Sequence, residues 1–365
     1  MKIMFVIPRM NNGGAERVVA NLANKLCFLH SVKIVTLVGK DSFYHLDSKV
    51  EFSSADFCLN RKNNVARSVS MMKHFISAFF FLEKEYKTYN PEVVISFLFE
   101  ADILIYILHH LHKFFWISSE RNDPTRISKI KQFINMNIYK DVDMFVCQSA
   151  YIKSYYKTIP DNKKVIIPNP IDNSRVYELS QEVERLRIVA VGRLTEQKNF
   201  ELLIRAYAKA RRQLTKETTL TIYGDGSLRS ALEKVIERLN LIECVYLPGS
   251  IQNVFAEMKD ASLFIMSSDY EGFPNALLEA SAMGIPIIAT DVKTRTVREI
   301  VSEGAGLIVP VGNENELSNA IIKMIEDDEY RKSIRGIYGI EIKKKYCIDV
   351  IGKKWNEEII NHIRK

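Results

Sequence analysis

Two glutamates eight residues apart, Glu271 and Glu279, bracket the start of a helix of small and apolar residues in the segment DYEGFPNALLEASAMG. Side chains three or four positions apart are neighbours on a helix. Glu279 has Asn275, Ala276, Ala282 and Met283 at those positions, so no cation is within local reach. Glu271 sits in a loop beside Gly272 and Pro274. Carboxylates so placed suit hydroxyl groups: Glu271 can accept from a sugar, and Glu279 from both ribose hydroxyls of a nucleotide. Ala276, Ala280 and Ala282 would leave room for such a ligand. The N–H groups from Gly272 through Phe273 to Asn275 offer donors at a helix start. Pro274 suits the first helical position, where its missing N–H costs nothing. Plainer accounts stand beside these, a first-turn dipole effect for Glu271 and a distant salt bridge for Glu279.

Arg193 and Lys198 lie five residues apart in VGRLTEQKNFELL, between a strand and a helix. Arginine brings a planar fork and lysine a point charge, a pair suited to a diphosphate; the plain reading is a polar loop. Gly13-Gly14 opens a helix after the first strand and lets backbone approach an anion, although a tight turn explains it as well. It is not G-x-G-x-x-G, and the expected ribose-binding acid is unclear, which argues against a nicotinamide site. In LPGSI, Gly249 to Ile251 can pass close to a flat base, and YGDGSLR reads first as a turn capped by Ser227.

The elements that must hold these residues alternate. β-rich runs fall at residues 2–8, 32–38, 93–97, 115–118, 144–147 and 165–167, with helical patterns between them. Residues 15–29 place Val18, Val19, Leu22, Ala23 and Leu26 on one face. After IPNPID the pattern restarts, with strands at 187–191, 219–223, 245–247, 263–266, 286–289 and 307–309. Such alternation predicts an α/β protein of two Rossmann-like domains, each with a parallel sheet, split near Pro170 and facing across a cleft. In open α/β sheets ligands bind beyond the carboxyl ends of the strands, where all the residues above lie.

The 365-residue chain is 47% hydrophobic, enough for two cores. Five scattered cysteines, none spaced C-x-x-C, argue against a disulfide framework or zinc site and for a reducing compartment. The apolar run at the N-terminus is too short for a signal peptide, and no stretch suits a membrane span. These features predict a cytoplasmic protein. The net charge of +7 is uneven. The first 170 residues hold 23 Lys and Arg against 15 Asp and Glu, the remainder 28 against 29. Arg61-Lys62, Lys129-Lys131 and Lys163-Lys164 share that first part with apolar runs such as FISAFFFL. A basic surface with interleaved aromatics can face anionic lipid, though a soluble basic face is equally consistent with composition. Nucleic acid is not expected, since no reader motif accompanies the modest excess.

Taken together, the motifs resemble a known family. Glu271-Gly272-Phe273-Pro274 followed by Glu279 is similar to the Glu–seven residues–Glu signature of the retaining glycosyltransferases of family 4, which have the GT-B fold. The likeness extends over nearly the whole chain, through Gly13-Gly14-Ala15-Glu16, IPNPID, Val191-Gly192-Arg193-Leu194 with Lys198, Tyr223-Gly224-Asp225-Gly226, Leu247-Pro248-Gly249, and Gly284-Ile285-Pro286 leading to Asp291. It resembles in particular bacterial enzymes that build capsule, exopolysaccharide or O-antigen units.

The resemblance implies an acceptor-side domain of residues 1–170, a donor-binding domain of 171–347, and a terminal helix, Ile348 to Ile363, that returns to the first. It implies that Glu279 holds the ribose of a nucleotide-sugar donor, most often UDP-linked, and that Arg193 and Lys198 neutralise the departing diphosphate. Glu271, with the backbone from Gly272 to Asn275, would orient the sugar, while Gly13 and Gly14 approach the diphosphate and Gly249 to Ile251 lie against the base. No metal or other cofactor is expected. Many members carry a histidine after the fourth strand of the first domain; here the segment reads ISSERNDP, so Glu120 or Arg121 would take its place on the acceptor side. The acceptor implied is a lipid-linked saccharide at an anionic inner membrane surface, met by peripheral association. Alternatives are a UDP-sugar epimerase of the same fold and a non-catalytic nucleotide-sugar-binding scaffold.

Overall fold

The computed structural model describes residues 1–55, 64–172, 176–180, 186–251, 253–301 and 305–364, with side chains of the long second helix described from residue 73. Arg61, Lys62 and Cys58 lie outside the described residues. The chain divides into two units, Met1–Pro170 with Ile348–Lys365, and Ile171–Cys347.

In the first unit the strands are β1 (Lys2–Ile7), β2 (Ser31–Thr36), β3 (Val50–Ser54), β4 (Val93–Phe97), β5 (Phe115–Ser119), β6 (Met144–Cys147) and β7 (Lys164–Ile166). They form one parallel sheet in the order β3-β2-β1-β4-β5-β6-β7. β1 shows how the sheet is buried on both faces. Ile3, Phe5 and Ile7 enter the core beneath α1 (Gly14–Leu26) and α14 (Ile348–Ile363). Met4 and Val6 enter the core beneath α2 (Asn64–Tyr89), α3 (Phe99–Leu111), α4 (Lys129–Ile138) and α5 (Ala150–Tyr155). A strand covered on both faces reads as a continuous apolar run, which is why KIMFVI was legible. The five apolar positions assigned to one face of the first helix are all buried. β3 escaped the sequence reading because VEFSS is an edge strand with one buried residue and a weak alternation.

The second unit holds β8 (Leu186–Val191), β9 (Thr218–Tyr223), β10 (Val245–Gly249), β11 (Leu263–Met266), β12 (Ile287–Thr290) and β13 (Gly306–Val309). Their parallel order is β10-β9-β8-β11-β12-β13. One face packs on α6 (Phe200–Arg211), α7 (Arg229–Arg238) and α11 (Glu314–Glu326). The other packs on α8 (Val254–Met258), α9 (Asn275–Met283), α10 (Thr296–Ile300) and α13 (Gly339–Tyr346). α12 (Asp328–Ile334) follows α11. In both sheets the chain builds outward one way from a central strand and then returns to its other side, at β1/β4 and at β8/β11. Such switch points leave the adjoining loops splayed above the strand ends.

A buried carboxyl interrupts the apolar core of the first unit. Asp102 is 1% exposed. It accepts from Ser96 Oγ at 2.6 Å, Ser118 Oγ at 2.9 Å and the Tyr139 hydroxyl at 2.9 Å. Burial outweighs these donors and pushes its pKa up to about 7. The unfolded chain titrates near 4, so between these values the folded state holds the extra proton. The contribution is therefore full below about pH 4 and is lost as pH rises through about 7. Both tryptophans, Trp116 and Trp355, are fully buried in this unit, so their fluorescence follows its unfolding. Urea titrations at pH 5 and pH 8 should show the first unit losing roughly 2–3 kcal/mol more in wild type than in Asp102→Asn. Parallel pH dependence in both proteins would remove Asp102 as the cause.

Candidate functional site

The loops that follow β8 and β11 meet because those strands are hydrogen-bonded neighbours, although 73 residues separate Lys198 from Glu271. The loops are pinned by four bonds: Asp269 N to Gln197 O (2.9 Å), Ser267 Oγ to Lys198 O (2.8 Å), Asn199 Nδ2 to Asp269 Oδ1 (2.8 Å) and Gln197 Nε2 to Tyr270 O (3.0 Å). Asn199 adopts the left-handed region (φ 45°) and caps α6 through its side chain. Asparagine tolerates that conformation better than most residues, so one residue ends a short 3-10 turn (Glu196–Lys198), starts a helix and ties the two loops.

On this frame the Lys198 ammonium lies 2.6 Å from Glu271 Oε1. Ser268 Oγ donates to the same oxygen at 2.7 Å, and Gln197 Nε2 lies 3.3 Å from Oε2. Thr294 Oγ1, in the loop after β12, donates to the Glu271 carbonyl at 2.9 Å. Glu271 is 6% exposed. The cation and carboxylate, read from sequence as acting on different parts of a donor, thus form one charge pair. Gln197, Ser268 and Thr294 were missed because each reads as an ordinary loop residue, and only neighbouring strand ends bring them together.

Arg193 stands on the same loop as Lys198, is exposed, and among the described residues has no ion-pair partner. Three glycines beneath it are crowded, Gly192 by the Lys198 side chain and Gly224 and Gly226 by backbone. A Cβ on Gly192 would lie 3.0 Å from Lys198 Cε, and one on Gly224 (φ +141°) would lie 1.9 Å from the Gly192 carbonyl oxygen. Gly226 is similarly closed, since its Cβ would meet the Leu194 carbonyl oxygen at 2.4 Å. Leu194 N donates to Asp225 O at 3.0 Å and Gly192 N to Tyr223 O at 2.9 Å, so the turn after β9 supports the loop carrying both cations. Ser227 is no cap: α7 begins at Arg229, with no side-chain bond at its start.

α9 begins at Asn275, with Gly272 and Phe273 buried just before it and Pro274 in the capping position rather than the first helical one. Proline there is extended (φ −78°, ψ 99°), as a capping residue must be. Glu279 lies one turn on from Asn275 and is 6% exposed. Ala280 and Ala282 are fully buried in the core. The backbone there is closely packed, since a Cβ on Gly339 of α13 would meet the Ala282 carbonyl oxygen at 2.7 Å. Ala276, the third residue read as leaving room, is half-buried. Gly249 (φ +92°) accepts from Gly224 N at 2.9 Å, and Ile251 is half-buried against the same core as α9.

In the first unit, Gly13 precedes α1 and the Glu16 carboxylate folds back over it, 2.1 Å from where a Cβ would stand. Gly14 is the first residue of α1, so this helix start already carries a carboxylate of its own chain. Glu120 and Arg121 behave differently from each other. Glu120 accepts from the N–H of Arg121 (2.8 Å) and of Asn122 (2.9 Å) and from the Tyr156 hydroxyl (2.9 Å), fixing the turn after β5. The half-buried Arg121 guanidinium lies 4.8 Å from the centre of the Phe97 ring and donates to Asn169. Its Nε and Nη2 are buried without a hydrogen-bond partner among the described residues, as are Ser119 Oγ, Asp123 Oδ2 and Gln148 Oε1 around the same strand ends. Burial lowers the Arg121 pKa to about 9, so the group stays charged at neutral pH with donors unfilled. Lys164, expected on the surface, is 6% exposed and turns in to Tyr156 O at 3.0 Å and Asp161 at 2.8 Å. His109, His110 and His112 lie at the partly exposed end of α3. No described helix is long and apolar enough to cross a membrane.

Comparison with known proteins supplies the class. Residues 12–175 match glycosyltransferase family 4, and residues 178–336 match the glycosyl transferases group 1. The GalNAc-alpha-(1->4)-GalNAc-alpha-(1->3)-diNAcBac-PP-undecaprenol alpha-1,4-N-acetyl-D-galactosaminyltransferase of Campylobacter jejuni is 29% identical, over 92% of this chain and 91% of its own. The amylovoran biosynthesis glycosyltransferase AmsD of Erwinia amylovora is 24% identical, over 98% of this chain and 99% of its own. Anabaena HepE, solved with UDP and glucose, superposes with a TM-score of 0.79 at 16% identity, over 99% of this chain and 100% of that one, a likeness of fold. The fold is GT-B, and the chain belongs to the group 1 glycosyl transferases.

Proposed function

We propose that this glycosyltransferase moves a hexose or N-acetylhexosamine, with retention, from a UDP-linked sugar to a hydroxyl of a lipid-linked saccharide in surface polysaccharide synthesis. The observation that carries the reading is the Lys198–Glu271 pair beside an exposed Arg193 that has no ion-pair partner among the described residues, at the β8/β11 switch point. A diphosphate leaving group would take Arg193 as its free cation and compete with Glu271 for Lys198. The N–H groups at the start of α9 add positive potential. Together they offset the charge that develops as the sugar–phosphate bond breaks, so the proposal needs no divalent ion. Glu271 already accepts from Lys198 and Ser268, which makes it a poor nucleophile. Its proposed part is to orient the sugar by accepting from a hydroxyl.

Glu279 is assigned to the ribose and Gly249 to Ile251 to the base. In the first unit the open donors of Arg121 favour it over Glu120 as the group that receives an acceptor, while a diphosphate at Gly13 and Gly14 would have to displace the Glu16 carboxylate that now covers Gly13. The lipid-linked acceptor is supported by the Campylobacter relative, whose name specifies a saccharide on PP-undecaprenol, and the UDP donor by the complex of HepE.

The test is UDP release from a panel of UDP-sugars, with and without a lipid extract. Release from one sugar, stimulated by lipid, is the expected result. Conversion of the sugar without any acceptor would mean an epimerase, and silence with every donor would turn attention to a scaffold. Arg193→Ala should melt within about a degree of wild type, as an exposed side chain with no ion-pair partner should, yet release UDP roughly 100-fold more slowly. Wild-type rates in that variant would remove Arg193 from the site.

A further inference from the structure

The two most exposed large hydrophobic side chains among the described residues, Ile130 at 75% and Phe133 at 71%, are neighbours on α4. They point away from the buried side of the helix, which presents Asn135 and Ile138 to the core. The helix sequence KIKQFINMNI contains no acidic residue. Lys129 lies beside Phe133 on the outward side, and Lys140 continues the same line one turn beyond Asn137. Lys131 is engaged elsewhere, over the Phe99 ring at 4.7 Å and 3.5 Å from Glu100.

α2 repeats the pattern on the same face of the sheet. Lys73, Ile76, Phe80 and Lys84 are all exposed and follow at spacings of three and four, one helical stripe. Paired apolar side chains framed by lysines suit a surface that is apolar below and anionic above, which is a bilayer containing anionic lipid. A second protein would have to supply acids and an apolar pocket in that same alternation.

We propose that the outer faces of α4 and α2 dock this protein on an anionic bilayer, with Ile130 and Phe133 inserted below the headgroups. The proposal rests on the reading of a lipid-linked acceptor, and it assigns the surface that meets the membrane. Phe133→Trp introduces a tryptophan at the proposed depth, while the native Trp116 and Trp355 stay buried. Its emission should shift to the blue with vesicles of phosphatidylcholine plus phosphatidylglycerol, be quenched by lipids labelled in the acyl chain, and stay unchanged with phosphatidylcholine alone.

Ile130→Ser/Phe133→Ser should lose vesicle binding at least about ten-fold, equal to about 1.4 kcal/mol, with unchanged melting. Ile242→Ser, an equally simple loss of an exposed side chain (63%) in the second unit, should bind as wild type. Undiminished binding of the double variant, or equal binding to both kinds of vesicle, overturns the docking face. UDP release in detergent, run in parallel, separates the two readings. Release without vesicle binding overturns docking alone; vesicle binding lost in the double variant, without release in any protein, keeps docking and overturns the transfer reading.

Discussion

Glu271→Ala is expected to slow sugar transfer by roughly 100- to 1,000-fold, the scale on which one charge-stabilising contact near a breaking bond acts. Two things change at once. The sugar loses its proposed hydroxyl acceptor, and Lys198 loses the carboxylate 2.6 Å from its ammonium. An ammonium released from that contact settles closer to the diphosphate in the ground state, so UDP itself should bind the variant at least as tightly as wild type. A lower rate with undiminished UDP affinity is the signature. The Lys198 side chain is 16% exposed and the Glu271 side chain 8%, so stranding the cation should cost about 1–3 kcal/mol in the second unit. Glu271→Gln separates charge from shape. The amide keeps the volume and a bond from Ser268 but leaves Lys198 without its counter-charge; it should melt between Glu271→Ala and wild type and leave transfer more than about ten-fold down. Full activity in Glu271→Gln would show that shape alone matters.

Gly224→Ala should produce the largest loss of stability. The new methyl would stand 1.9 Å from the Gly192 carbonyl oxygen, with the backbone at φ +141°, a region that L side chains rarely adopt. Strain and forced displacement together should cost roughly 3 kcal/mol or more. For a unit of this size that lowers the melting point by about 6–12 °C. Gly312→Ala is the control: its φ is also positive, +73°, but no atom lies within 4 Å of the added carbon. It should cost only about 1–2 kcal/mol. Circular dichroism follows both units, and tryptophan fluorescence follows the first alone, so the difference isolates the second. The displaced strand end carries Gly192, on which the Lys198 chain rests, so surviving Gly224→Ala protein should also transfer slowly. Equal melting of the two variants would refute the collision.

The sequence by itself determined the class of fold, because strands buried on both faces leave apolar runs that stand out between amphipathic helices. Eleven of the observed strands overlap runs read as β-rich, along with β7, where the overlap is residues 165–166; the polar edge strand β3 left no such trace. It also determined which residues lie beyond strand ends, since a loop's place in the alternation is local information. What it left open was decided by strand order. Lys198 and Glu271 become partners because β11 returns to lie beside β8, and nothing within either loop specifies that neighbour. The same holds for α9, whose backbone packs closely on α13, for Lys164 turned inward, and for Glu120 occupied by the turn it follows while Arg121 keeps open donors. Residue type sets what a side chain can bond, but burial and partner are properties of the packed chain. Those were settled only when distant segments met.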